Sequence, residues 1–260
     1  MIKKWRFIDT GVATARYNMA VDEALLSNFK EGDLPIFRLY GWESSLSFGR
    51  FSKPAKNLSL EKLQKQNLSF VRRITGGGIL LHGGDISYSL ILPRKNLKDI
   101  GVKESYSYLC QFLINFYEKL GLDAKFANEL NLNISKSDIC MCANESYDII
   151  IDGKKIGGNA QRYTKNILFQ HGSIPLTRDG VIFKDIFLDE SVLDNLPSLD
   201  KMKKDIENQQ LSSLLIEAFT QSYDVGLLSD TLSSSELLST DELLKLKYSK
   251  KSWNIGGSVV

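Results

Sequence analysis

Two histidines and three cysteines in 260 residues leave little material for a metal centre or a disulfide framework. The cysteines, Cys110, Cys140 and Cys142, are odd in number and include no C-x-x-C pair. A tetrahedral zinc site can be drawn from Cys140, Cys142, His82 and His171, but the usual finger spacings are missing, so no metal is expected. No run of eighteen apolar residues occurs, so no membrane-spanning helix and no membrane partner are expected. The opening MIKKWRFID turns polar too soon for a signal peptide, which points to a cytoplasmic chain with reduced thiols. An excess of one charge is also lacking: Lys and Arg number 33, Asp and Glu 31. A nucleic-acid partner ordinarily requires a basic surplus, and none is expected here. There is no internal repeat and no low-complexity segment.

What remains is an ordinary globular composition, 43% apolar and 25% charged. A folded chain of this size buries roughly 70–75% of its unfolded surface and needs no staple. One domain over residues 1–260 is expected, with 182–250 a mainly helical C-terminal part. Strands are predicted at 5–9, 35–40, 45–48, 69–73, 86–92, 147–151, 155–160 and 167–171. Helices are predicted from Asn18 to Phe29, from Ser59 through Lys65, and around Tyr106, Leu109, Leu113, Phe116 and Leu120, which recur at intervals of three and four. Further helices are predicted at 214–223 and 236–248, with the serine-rich 232–236 as a cap. Adjacent strands joined by hairpins, with helices grouped apart, define an α+β fold with a mixed or antiparallel sheet flanked by helices.

Three segments can carry chemistry. Arg72-Arg73-Ile74-Thr75-Gly76-Gly77-Gly78 is followed by apolar Ile79 to Leu81 and by His82. Its glycines let backbone amides approach an anion, its arginines suit a carboxylate or phosphate, and the apolar run offers a greasy wall. It lacks the Gly-Lys-Ser/Thr ending of a P-loop. An amphiphilic ligand fits it; a tight hairpin with surface arginines is the plainer alternative. In the second segment, Lys155-Ile156-Gly157-Gly158-Asn159-Ala160, a strand of period two puts Lys155, Gly157 and Asn159 on one face, beside bared backbone. A lysine there would stabilise an oxyanion or phosphate; a solvated hairpin end is the alternative. The third is Cys140-Met141-Cys142, where a thiolate would suit acyl transfer and a buried thiol is the bland alternative. His82 and His171 read as positioned hydrogen-bonding groups, and no Ser-His-Asp arrangement can be inferred.

Together these segments resemble the lipoate–protein ligase A and octanoyltransferase family of the biotin/lipoate ligase superfamily, over roughly residues 5–250. Trp5 to Gly11 and Tyr17 to Leu26 look like the family's opening strand and helix. Arg72 to His82 is similar to its R-R-x-[TS]-G-G-x-x-x-x-H loop, and Lys155 to Ala160 to its lysine motif. Gln170-His171-Gly172-Ser173-Ile174 is also family-like. The resemblance implies a biotin/lipoate ligase-like catalytic domain that attaches a lipoyl or octanoyl group to a lysine of a lipoyl-domain protein. It implies Lys155 and Cys140 as catalytic residues. Arg72, Arg73, Thr75, Gly76, Gly77, Gly78, His82, Gly157, Gly158, Asn159, Ala160 and His171 would bind substrate.

Two chemistries stay open. In transfer, octanoyl-acyl carrier protein acylates Cys140 with no bound cofactor, and the thioester passes to the acceptor lysine. In ligation, ATP, Mg and lipoate give a lipoyl-adenylate and Cys140 is a bystander. Cys140 stands fifteen residues before Lys155, and the end Lys247 to Asn254 looks like the transferase branch. Against this, Gly76-Gly77-Gly78 is the ligase form of the loop, and Met141 replaces a usual phenylalanine. Transfer is the reading carried forward. A non-enzymatic acyl-binding module is a further alternative. A biotin ligase is disfavoured because the G-R-G-R-x-G loop is missing.

Overall fold

A computed structural model describes residues 3–97, 100–130, 147–178, 180–193, 196–203 and 208–258. In chain order the elements begin with β1 (Lys4–Ala13), α1 (Ala15–Asn28), β2 (Ile36–Trp42), β3 (Ser45–Phe48), α2 (Leu60–Lys65) and β4 (Ser69–Arg72). They continue with β5 (Ile79–His82), β6 (Asp85–Pro93), α3 (Val102–Lys119), β7 (Ala124–Phe126), β8 (Ile149–Ile151) and β9 (Lys154–Lys155). The last are β10 (Gly158–Tyr163), β11 (Ile167–Pro175), α4 (Leu199–Met202), α5 (Asn208–Tyr223), β12 (Gly226–Asp230) and α6 (Ser234–Leu243).

The main sheet has six strands in the order β10-β11-β6-β2-β1-β12. The pairs from β10 to β2 are antiparallel, and β1 pairs parallel with both β2 and β12. The sheet is therefore mixed, as expected. Alternation along β2 explains the layers, since successive side chains point to opposite faces. Phe37 and Leu39 join Trp5, Tyr88 and Leu90 against α3 and α5, where Phe37 stacks on Phe219 with centroids 4.1 Å apart. Ile36 and Tyr40 face the other way, onto Met19, Val21 and Leu25 of α1. Helices thus cover both faces, and the central strands are buried on both sides.

Two small sheets flank this one, β4-β3-β5 and β7-β8-β9. The first carries the glycine loop, which joins β4 to β5. The second carries Lys155. Helix caps follow the sequence: the Ser59 hydroxyl accepts the Lys62 amide, and Ser233 with Glu236 forms a reciprocal capping box. The expected strand 155–160 is broken instead. Gly157 adopts φ +73°, which separates β9 from β10 and ends the period-two face that would join Lys155 to Asn159. The C-terminal part carries α4, α5 and α6 and also supplies β12, the edge strand beside β1. Among the described residues, no helix is long and apolar enough to cross a membrane.

Candidate active site

The ends of the central strands and the small β4-β3-β5 sheet line one cleft. Tyr40 and Trp42 come from β2, Leu80 and His82 from β5, and Ser87 from β6. Arg73, Gly76 and Gly77 close one side; Gly158, Asn159 and Ala160 of β10 and His171, Gly172 and Ser173 of β11 form the other. The two glycine segments singled out in the sequence therefore meet across a single space.

The glycine loop is held from behind. Arg73 Nη1 donates to the Ser47 carbonyl at 2.9 Å and to its hydroxyl at 2.6 Å, while Nη2 donates to the carbonyls of Gly76 and Gly78. In a trans peptide the carbonyl and the next amide point in opposite directions, so fixing the Gly76 carbonyl on Arg73 turns the Gly77 amide away from it. None of the hydrogen bonds among the described residues uses the amides of Gly76, Gly77 or Gly78. Gly77 sits at φ +93°, and Gly49 passes so close that a Cβ built on it would stand 1.8 Å from the Gly77 oxygen.

Both histidines lie in buried carboxylate–imidazole–hydroxyl chains. Asp85 Oδ2 meets His82 Nδ1 at 2.9 Å, and His82 Nε2 meets Ser47 Oγ at 2.7 Å. Asp22 Oδ2 meets His171 Nδ1 at 3.1 Å, and His171 Nε2 meets Thr75 Oγ1 at 2.7 Å. Burial lowers both imidazoles below the ordinary histidine value, against the pull of their carboxylates, so each is neutral at neutral pH. Asp85 is itself held down to about 2: burial opposes this, but His82, Arg178 and the Ser173 hydroxyl outweigh it. Asp22 is also lowered despite burial, by Arg38, His171 and Ser89. His82 further stacks on Trp42 at 3.8 Å, and Trp42 Nε1 donates to Ser87.

Other expected site residues fall differently. Arg72 does not line the cleft. Its guanidinium donates to the carbonyls of Gly49, Arg50, Ser52, Trp253 and Ile255, which ties the C-terminal turn to β4. A fully buried cation with five carbonyl partners has a structural task, in place of the ligand contact read from the motif. Lys155 is buried, and its ammonium pairs with Asp148 at 2.8 Å; Lys155 is not among the cleft-lining residues, although Gly158 to Ala160 just after it are. Gly157 belongs to the turn between them, where an added Cβ would meet the Ser173 oxygen at 2.3 Å. Asn159 accepts a hydrogen bond from Tyr88 at 2.8 Å. Cys110 is buried beneath Tyr88 and Gln170, and burial pushes its thiol up to about 12, so it is no nucleophile. Cys140 and Cys142 lie outside the described residues.

Sequence reasoning missed Asp22, Arg38, Ser47 and Asp85. One signal was available for the first: Asp22 sits four residues after Asn18 on the apolar face of α1, an odd place for a carboxylate without a buried partner.

Comparison with known proteins gives the class of this catalytic domain. The family model of the lipoyl protein ligase A/B catalytic domain matches residues 14–220, and the chain belongs to that family. It is 35% identical to octanoyltransferase LipM of Geobacillus kaustophilus, covering 96% of this chain and 97% of that protein. It is 34% identical to octanoyltransferase LipM of Bacillus subtilis over the same shares. Among solved structures it resembles lipoate–protein ligase A bound with ATP, with a TM-score of 0.84 and 25% identity, covering 98% of this chain and 100% of the other.

Proposed function

We propose that this protein is an octanoyltransferase that acylates one lysine of a lipoyl-domain protein. The observation that carries the reading is the chain-long similarity to octanoyltransferases, in a fold whose two glycine segments face one cleft with an apolar wall. The donor is octanoyl-acyl carrier protein. The Cys140 thiolate attacks the donor's thioester carbonyl, expelling the donor thiol, and holds the octanoyl group as a new thioester. The acceptor's amine then attacks this carbonyl and Cys140 leaves. The free amides of the glycine loop stabilise the oxygen that becomes negative, and Lys155, paired with Asp148 outside the cleft lining, adds its positive charge to that side of the site. Arg73, Thr75, His82, Gly158, Asn159, Ala160 and His171 shape the binding site. Residues 1–260 act as one catalytic domain.

ATP-dependent ligation is the second reading, favoured by the likeness to an ATP-bound ligase and by the triple-glycine loop. Intact-mass spectrometry separates the two. Octanoyl-acyl carrier protein should add one octanoyl group to the wild type and none to Cys140→Ala, which should also fail to acylate a lipoyl domain. Full lipoylation by Cys140→Ala with lipoate and ATP would establish ligation. Lys155→Ala should lower either activity by about 100-fold or more, and near-full activity would remove Lys155 from the site.

A further inference from the structure

Asn159 lines the cleft from the edge strand β10, and a chain of buried side chains decides which way its carboxamide faces. The chain starts at a group of fixed polarity. The Leu109 carbonyl can only accept, so the end of Gln170 that meets it at 3.2 Å is Nε2, and the other end, Oε1, accepts from Gln161 at 2.7 Å. The same Nε2 donates to the Tyr88 hydroxyl oxygen at 2.9 Å and lies 3.5 Å from Cys110 Sγ. The Tyr88 proton then has one acceptor left among the described residues, Asn159 Oδ1 at 2.8 Å. Burial pushes the Tyr88 phenol well above its ordinary value, so it keeps the proton that it donates. Register makes the contact possible. Gly172 pairs with Tyr88 on one side and with Asn159 on the other, and a Cβ on Gly172 would stand 2.0 Å from Asn159 Oδ1. Tyr106 donates to the Asn159 backbone carbonyl at 3.0 Å, which holds the strand itself. With Oδ1 committed to Tyr88, the other end of the carboxamide is an N–H donor. Asn159 Nδ2 has no partner among the described residues and is not sealed from solvent.

We propose that Asn159 Nδ2 is a catalytic hydrogen-bond donor to the acyl carbonyl oxygen, and that Tyr88 and Gln170 are its positioning residues. This rests on reading the chain as an enzyme that acylates lysine, and it names a further group in that site. Gly76 and Gly77, whose amides are unused among the described residues, line the same cleft as Asn159. A carbonyl oxygen in that space is met by N–H groups from both glycine segments. When a nucleophile's lone pair forms a bond to the acyl carbon, the C=O π pair moves onto the oxygen. The pair returns as the leaving group departs, and Asn159 keeps both of its protons throughout. A fixed N–H dipole stabilises this passing charge without having to turn during the step. A carboxamide free to rotate would also present its oxygen, which repels the same charge. Leu109, Gln170 and Tyr88 in series remove that alternative, which a residue that only fills space would not require.

A double-mutant cycle tests this. Transfer from octanoyl-acyl carrier protein to an isolated lipoyl domain is followed by mass spectrometry for the wild type, Asn159→Ala, Asn159→Asp, Tyr88→Phe and Tyr88→Phe/Asn159→Ala, with a melting temperature for each. Asn159→Asp keeps an acceptor for Tyr88 and loses the N–H. Asn159→Ala and Asn159→Asp should each lower kcat by about 100-fold or more, with KM for the donor little changed. Tyr88→Phe should lower kcat by about tenfold. The double variant should be no slower than Asn159→Ala, because Tyr88 acts through Asn159. Near-full kcat in both Asn159 variants overturns the proposal and leaves the acyltransferase reading standing, and so does a raised KM with kcat unchanged. Losses that multiply in the double variant make Tyr88 a structural residue and overturn its positioning role. If the wild type works only from lipoate and ATP, the same cycle on that reaction decides, since an acyl carbonyl is attacked there too. A wild type that acylates no lysine from either donor removes the reading, and the Asn159 donor with it.

Discussion

At the scale of the residue, the sequence revealed which side chains matter more readily than what they touch. Arg73, Thr75 and the glycines belong to one contiguous segment, and local rules suffice to mark it. The partners of that segment are remote. Thr75 and His171 are 96 residues apart, and Asp22 and His171 are 149 apart, so no spacing rule joins them. Gly49 is another remote partner, legible only once β3 lies beside the loop. Its amide donates to the Gly78 carbonyl, and a side chain there would collide with the Gly77 oxygen. Gly49→Ala should therefore displace the loop, lower acyl transfer by about 100-fold and cost about 1–3 kcal/mol of stability. Gly76→Ala is the control, because a Cβ there meets nothing within 4 Å; its urea midpoint should stay within about 0.5 kcal/mol of wild type. Equal destabilisation by the two changes would show that loop crowding is not the cause.

At the scale of the element, periodicity and caps were sound guides where an element is amphipathic. Helix α3 buries Leu109, Leu113, Phe116 and Tyr117 on one stripe, and its boundaries follow from that stripe and Gly121. Strand β12 gave no such signal. It is an edge strand with mostly exposed residues, paired among the described residues to β1 alone, and its existence depends on β1 offering a free edge. The C-terminal turn is a second case. Trp253 Nε1 donates to the Arg72 carbonyl, and Asn254 accepts the Arg72 amide while donating to the Tyr248 carbonyl. With the five bonds of the Arg72 guanidinium, this makes residues 248–257 a clasp on β4, just before the glycine loop. Lysine offers three donors at one point and cannot reach five dispersed carbonyls. Arg72→Lys should accordingly lose about 3 kcal/mol in urea unfolding, while the transfer rate at saturating donor changes little. An unchanged midpoint with a raised KM would instead return Arg72 to the ligand, as the motif alone implied.

At the scale of the whole molecule, charge is concentrated in an unusual place. The chain as a whole is nearly balanced in charge, yet the interior holds Asp22, Arg38, Asp85, His82 and His171 around one cleft. Buried ion pairs are weak sources of stability but make a fold sensitive to protonation. The signs agree for every group concerned. Asp85 falls from 3.8 to about 2 on folding, so its contribution is present above pH 3.8 and is lost as pH falls through about 2. That shift corresponds to about 2 kcal/mol. Asp22 is lowered too and acts in the same direction. The two imidazoles are also lowered, so the unfolded chain takes up their protons first, and stability begins to fall below the ordinary histidine value of about 6.5. Acid should therefore unfold the protein in two stages. A gradual loss from about pH 6.5 should precede a steeper one below about pH 4. Chemical denaturation at a series of pH values measures this directly, and the first stage should shrink in His82→Gln, which removes one of the two titrating rings. A stability profile flat between about pH 7 and 5 in the wild type would mean that the rings are reached by water and carry their protons in the folded state.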